Sequence, residues 1–233
     1  MTRETLAGRI IAFNKSLRFE GVLPEGIRIM NPFVENESAL EASSAFYRKF
    51  YNDNRPRRML VGINPGRFGA GLTGVPFTDP KRLLERCGIS SYKGPVTHEP
   101  SSVFVYEVIK QYGGEKAFYG DFYINSVCPL GFTKPGKNGK EVNFNYYDRK
   151  DLFASVREFM VSSLRRQVDL GILTDVAFCL GTGKNFDCVS QLNAEGGFFN
   201  RLTPLEHPRY VIQYKTRQMQ QYVDKYLEVL SAS

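Results

Sequence analysis

The sequence predicts an α/β fold: a three-layer α/β/α sandwich around a central, mainly parallel four-stranded sheet. Three observations predict it. Four short apolar runs, at 58–63, 122–127, 176–180 and, more weakly, 198–205, read as strands. Stretches with helical spacing alternate with them. No internal repeat points to a solenoid or propeller instead.

In chain order, residues 6–54 read as a helix, a loop containing Pro32 and a second helix over 39–50. The first strand, 58–63, leads into a glycine-rich loop, and helices follow at 80–87 and 103–112. After the second strand, the run Lys134-Pro135-Gly136-Lys137-Asn138-Gly139-Lys140 reads as a cationic, turn-rich excursion that stays flexible until it meets a partner. A helix over 151–170 precedes the third strand, one over 183–192 follows it, and an amphipathic helix over 217–230 comes last.

With 233 residues, 42% hydrophobic and 13% aromatic, the chain has material for one core, so a single domain over 1–233 is expected. No apolar run of about 18 residues occurs, so no membrane span is expected. The start, Met1 to Thr5, carries an early acid and no signal-like apolar stretch. An intracellular protein is the expectation, cytoplasmic in a bacterium and nuclear in a eukaryote. The formal charge of +7 and pI near 9.2 suit a polyanionic partner and equally a solvated basic surface. Cys87, Cys128, Cys179 and Cys188 are scattered without a C-x-x-C pair, and His98 and His207 are the two histidines, so no metal and no cofactor is expected. Cys128 and Cys179 sit in apolar runs and read as small buried hydrophobes.

Ligands of such folds bind beyond the carboxyl ends of the strands. That rule selects Asn64-Pro65-Gly66, the segment from Ser126 to Leu130, Gly181-Thr182-Gly183-Lys184 and His207-Pro208. The segment from Gly62 and Ile63 to Phe77 holds five glycines, which let backbone approach a ligand closely, and Pro65 fixes the turn that presents Asn64. An Asn there can hold a water without strongly deprotonating it. Phe77, or Phe68, offers a flat face for stacking, though either ring also fits an ordinary core. Gly181 to Lys184 fails as a phosphate-binding P-loop, because Phe178 and Asn185 occupy required Gly and Ser/Thr positions. A helix N-terminus binding a phosphate, with Lys184 adding charge, fits it better.

The glycine-rich segment resembles the first motif of the uracil-DNA glycosylase superfamily, specifically the single-strand-selective monofunctional branch, which carries G-M-N-P-G-P-F-G followed by T-G-V-P-F. Asn31-Pro32, Tyr123 to Phe132 with Cys128-Pro129-Leu130, Leu180 to Gly183 and Leu205-Glu206-His207-Pro208 extend the likeness in order. The resemblance implies that Asn64 positions the attacking water and Phe77 stacks on the base. It also implies that Gly66 leaves space above the pyrimidine C5 and that His207 hydrogen-bonds the uracil O2. Asp79 matches an acidic position that would stabilise charge on the sugar, and it equally suits a helix N-cap before Pro80.

Two segments depart from the family pattern. Where the family reads H-P-S-P-R, this chain continues Arg209-Tyr210-Val211, which are candidate wedge residues for the gap left by an extruded base; their apolar alternation also fits an edge strand. Where the family has an Asn reading O4 and N3, this chain has Ser126, with Asn125 one residue earlier and therefore on the opposite strand face. A shorter hydroxyl implies looser or different base selection. Lys134, Lys137 and Lys140 are further candidate phosphate contacts.

The expected function is a monofunctional glycosylase of base excision repair, cleaving uracil or a related deaminated or oxidised base from single- or double-stranded DNA, as a monomer. The alternatives are selectivity for a different deaminated base, or a non-catalytic damaged-DNA-binding module of the same fold.

Overall fold

The computed structural model describes residues 4–232; Met1, Thr2 and Arg3 of the amino-terminal stretch read above lie outside them. The first half runs α1 (Leu6–Ser16), β1 (Arg28–Met30), α2 (Pro32–Glu35), α3 (Glu37–Phe50), β2 (Arg57–Gly62), α4 (Ala70–Thr73), α5 (Pro80–Glu85), α6 (Pro100–Gln111) and α7 (Glu115–Asp121). The second half runs β3 (Phe122–Ser126), β4 (Gly131–Pro135), β5 (Glu141–Phe144), α8 (Lys150–Val168), β6 (Ile172–Leu180), α9 (Lys184–Gly196), β7 (Arg201–Leu205), α10 (Pro208–Tyr214) and α11 (Met219–Ser231).

The expected four-stranded sheet forms in the order β3-β2-β6-β7, every neighbouring pair parallel. All five residues of β3 and the last five of β6 are buried. Side chains alternate faces along a strand, so burial at consecutive positions requires cover on both sides. Helices supply it, as the three-layer reading expects. The register pairs Gly62 with Ser126, Val61 with Cys179 and Leu180 with Leu205, so the four strands end nearly level. Asn64, Val127, Gly181 and His207 therefore leave the sheet along one edge.

The structure corrects several expectations. The fourth strand begins at Arg201, because Phe198 and Phe199 are buried in the preceding loop. Residues 134–140 are not a free excursion: they form the end of an antiparallel hairpin in which Lys134 pairs with Val142 and Pro135 with Glu141. With β1, this hairpin makes a second sheet, β1-β4-β5, absent from the sequence reading. Its strands have three to five residues and include Gly131 and Pro135, too short and too interrupted to show a period of two. Residues 209–211 are helical. His207 caps α10 and Pro208 occupies its first turn, and this local start signal prevails over the apolar alternation.

The four cysteines are free thiols, with Cys87, Cys128 and Cys179 buried and Cys188 partly so. Burial pushes Cys128 and Cys179 up to about 12, so neither forms a thiolate near neutral pH. Among the described residues, no cluster of three or more His, Cys, Asp or Glu could hold a metal ion, and no helix is long and apolar enough to cross a membrane.

The base of β2 rests on Arg57, whose side chain is fully buried. Its Nε donates to the Tyr119 carbonyl at 2.8 Å, and Nη1 donates to the Arg55 carbonyl and to Asp53, each at 2.7 Å. The guanidinium also lies 4.9 Å from the centre of the Tyr51 ring. One planar fork thus donates to carbonyls from two segments. Arg57→Met, which keeps the apolar stem, is expected to cost about 2–4 kcal/mol of stability through those unmet carbonyls. Urea unfolding checks it; an unchanged midpoint would show that the network contributes nothing.

Candidate active site

Beyond the level strand ends lies a cavity of about 620 Å³. Asn64 and His207 both line it, as do Ile63, Pro65, Gly66, Phe68, Phe77 and Ser126. Lys184, Arg209 and Tyr210 belong to the same wall. Residues distant in sequence are therefore brought to one pocket large enough to admit a nucleobase.

The Asn64 amide is fixed by backbone. Its Oδ1 accepts from Tyr146 N at 3.2 Å and its Nδ2 donates to the Phe144 carbonyl at 3.2 Å. Nδ2 also donates to the Pro65 carbonyl at 3.5 Å, so it is the second lone pair of Oδ1 that remains to hold a water. The loop that follows is tied to β5, since Arg67 N donates to Asn143 Oδ1 at 2.9 Å.

His207 is the N-cap of α10, its Nδ1 accepting from Arg209 N at 3.1 Å. An acceptor at Nδ1 places the proton of a neutral imidazole on Nε2, which is left free to donate. Burial, and secondarily Arg209, pushes this imidazole down to about 4, so it is neutral at physiological pH. The Phe77 ring lies 5.8 Å from the imidazole, centre to centre.

Phe77 has φ 52°, the one positive φ of a non-glycine residue among those described. The Thr73 hydroxyl braces this turn, donating to the Thr78 carbonyl at 2.7 Å and accepting from Val75 N at 3.2 Å. Phe68 stands further out, 40% exposed, with the Arg67 guanidinium 4.0 Å from its ring centre. Of the two rings considered for stacking, Phe77 is the one beside the catalytic candidates.

At the end of β3 the two neighbours separate as strand alternation requires. Ser126 faces the cavity; Asn125 lies on the other face, donating to the Tyr123 hydroxyl at 2.6 Å and accepting from Ser126 N at 2.8 Å. Asn125 is thereby removed from base reading. Gly62 does not line the cavity but makes room for groups that do: a Cβ there would stand 3.4 Å from Ser126 Oγ and 3.8 Å from the Phe77 ring.

Asp79 is fully buried and lies off the cavity. Its carboxylate accepts from Arg82 N, Arg82 Nη1, Glu99 N and Ser102 Oγ at 2.7–3.0 Å, which joins α5 to the start of α6. The capping reading holds, and the geometry leaves this carboxylate no route to a sugar. Val211 is also corrected: it is fully buried under α10 and cannot enter DNA. Tyr210, 41% exposed and 5.6 Å from the Tyr214 ring, projects from the same helix beside exposed Arg209. Lys134, Lys137 and Lys140 are exposed on the β4–β5 hairpin, off the cavity.

Sequence reasoning missed Glu99, Asn143 and the 144–146 backbone. The dense run Asn143-Phe144-Asn145-Tyr146-Tyr147 was the available signal for the last two. Glu99 is pushed up to about 7 by burial and by neighbouring Asp79, against the opposing pull of Arg209 and Arg82.

Comparison with known proteins bears on this geometry. The Uracil DNA glycosylase superfamily matches residues 48–231. The crystal structure of wild-type SMUG2 from Pedobacter heparinus is similar over 99% of this chain and 98% of that one, at 55% identity and a TM-score of 0.96. No curated protein matches. The match spans both strand-end motifs, Asn64 and His207 alike, and the chain belongs to the uracil DNA glycosylase superfamily.

Proposed function

We propose that this protein is a monofunctional DNA glycosylase that extrudes uracil, or a related deaminated or oxidised base, and hydrolyses its N-glycosidic bond to leave an abasic site in base excision repair. The observation that carries the reading is the convergence of a fixed amide at Asn64 and a neutral imidazole at His207 on one cavity large enough to admit a nucleobase.

The flipped base stacks on Phe77, an interaction of roughly 1–3 kcal/mol. As the glycosidic bond breaks, its electron pair moves into the base and positive charge develops on the sugar. His207 Nε2–H donates to the base oxygen that gains charge, and a neutral donor suits this role because it need not give up its proton. Asn64 holds the water that adds to the sugar carbon, acting by orientation rather than basicity. The chemistry proposed here requires no covalent enzyme intermediate.

Lys184 at the start of α9 and Arg209 at the start of α10 line the cavity as the proposed phosphate contacts, and Tyr210 is an exposed aromatic of the same lining, beside Arg209. The exposed hairpin lysines Lys134, Lys137 and Lys140 are further proposed phosphate contacts, away from the cavity. Ser126, in place of a longer amide, supports a second reading: selection extends to deaminated bases other than uracil. Base release from a panel of lesion-bearing oligonucleotides distinguishes the two.

Base release from uracil-containing DNA is expected to fall about 10²-fold or more in Asn64→Ala and in His207→Ala, each losing a transition-state contact. Wild-type rates in both, or no release by the wild type, would overturn the reading. With its proton site depressed to about 4, the imidazole keeps its donor form as pH falls from 7 to 5, and the His207-dependent part of the rate should stay level over that interval. Lysine and arginine contacts are tested by salt. Lys184→Gln combined with Arg209→Gln should flatten the slope of log affinity against log salt for single-stranded DNA by about 1–1.5; an unchanged slope places the phosphates elsewhere.

A further inference from the structure

Glu99 enters no step above, yet its carboxyl faces the reaction cavity. It occupies the N-cap position of α6 without capping that helix. The carboxyl instead turns toward the glycine-rich loop, where a Cβ built on Gly66 would meet Glu99 Oε1 and Asn143 Nδ2, each at 3.5 Å. Gly66 thus opens onto a space bounded by an acid on one side and an amide on the other. Glu99 Oε2 is out of contact with solvent and has no hydrogen-bond partner. An ionised carboxylate in that state is costly, and a neutral acid with a proton to donate is far less so.

The groups around it agree. Asp79, capping α5, accepts from Glu99 N at 2.7 Å and adds negative charge behind the carboxyl. Arg82 of α5 is committed to Asp79 at 2.8 Å, and His98 also lies near Asp79. Arg209 of α10 is the remaining cation that faces Glu99. Asn143 of β5 is neutral, and Arg67, the one cation of the Gly66–Gly69 loop, turns onto the Phe68 ring, 4.0 Å from its centre. Ionisation is held up to about pH 7. DNA phosphates drawn to Arg209 would raise it further, because a polyanion disfavours another negative charge nearby.

We infer that Glu99 is a further catalytic residue, acting as a neutral carboxylic acid that donates a hydrogen bond to the departing base. This rests on the glycosylase reading above. The base leaves with the electron pair of the broken bond, and a carboxylate in the same wall would repel it. A protonated carboxyl instead stabilises the new charge without transferring its proton, as the His207 imidazole does. The water that adds to the sugar supplies the proton that finally neutralises the base.

The test is kcat/KM for uracil release from single-stranded DNA as a function of pH, for wild type and Glu99→Gln, since kcat/KM reports ionisations of the free enzyme. Wild type should hold a plateau below about pH 7 and fall roughly 10-fold or more by about pH 9. Glu99→Gln, a neutral donor of the same shape, should retain the plateau rate within about threefold and lose the descending limb. A second readout needs no catalysis. The folded carboxyl titrates near 7 against an ordinary 4.5, so the native state holds the extra proton, and wild type loses stability as pH rises from about 4.5 to 7. Glu99→Gln should lack that decline in thermal melts. A wild-type rate that is flat to pH 9, the same limb in Glu99→Gln, or a folded Glu99→Gln inactive at every pH would each overturn this inference alone. No base release by wild type at any pH would overturn the glycosylase reading and this inference with it.

Discussion

The two-point hold on the Asn64 amide is the constraint on which the rest of the site depends. Its oxygen and nitrogen face a backbone donor and a backbone acceptor from the same short segment, so exchanging them by a flip would break both bonds. That segment is itself anchored. The buried Tyr146 hydroxyl donates to Asn185 Oδ1 at 2.7 Å, and Asn185 Nδ2 donates to the Leu180 carbonyl at 3.0 Å. A continuous chain of hydrogen bonds therefore runs from the end of β2, through the segment after β5, to the end of β6. Level strand ends set the distance this chain must span, and the chain in turn sets where a water can sit.

Within the cavity the protein uses burial to choose protonation states. His207 is depressed and Glu99 raised, both chiefly by desolvation, so the imidazole is uncharged at neutral pH and the carboxyl becomes so as pH falls below about 7. Fixed positive charge is kept at the mouth, on Lys184 and Arg209, where it meets solvent. The arrangement separates two tasks. On the proposed function, cations would hold a polyanion from outside, while uncharged donors would face the base and gain strength as charge develops on it. A full positive charge beside the base would stabilise an anion as well, but it would have to be desolvated before any substrate arrived.

What the sequence revealed and what it hid follow one physical division. Asn64, Phe77 and His207 were legible because each lies in a contiguous motif just after a strand, and parallel sheets gather such positions at one edge. Asn143 and the backbone at 144 and 146 were not, because their placement depends on the register of a hairpin whose strands are too short to announce themselves. Glu99 lay in a segment without periodicity, and it reaches the cavity through the bond from its own N–H to Asp79. Asp79 itself drew attention as a possible functional acid; the structure makes it the support of the acid that does face the site. The same competition decided residues 209–211, where an N-cap histidine followed by proline outweighed alternating hydrophobicity.

The conformation of Phe77 shows why the site cannot be read from composition alone. A left-handed backbone costs a residue with a side chain about 1–2 kcal/mol, and glycine would occupy it freely. Glycine, however, would remove the ring that lies beside His207. The local penalty is offset by the buried Thr73 hydroxyl, which bonds both flanks of the turn. Gly74, with φ 70°, takes the other left-handed position of this segment, where a Cβ would clash with the Phe33 ring at 2.5 Å. Glycine is thus used where backbone must pass close to another group, and strain is accepted where a ring must point into the cavity. The loop is braced for both reasons, and the bracing fixes the Phe77 ring 5.8 Å from the His207 imidazole, where the proposed function would stack a base.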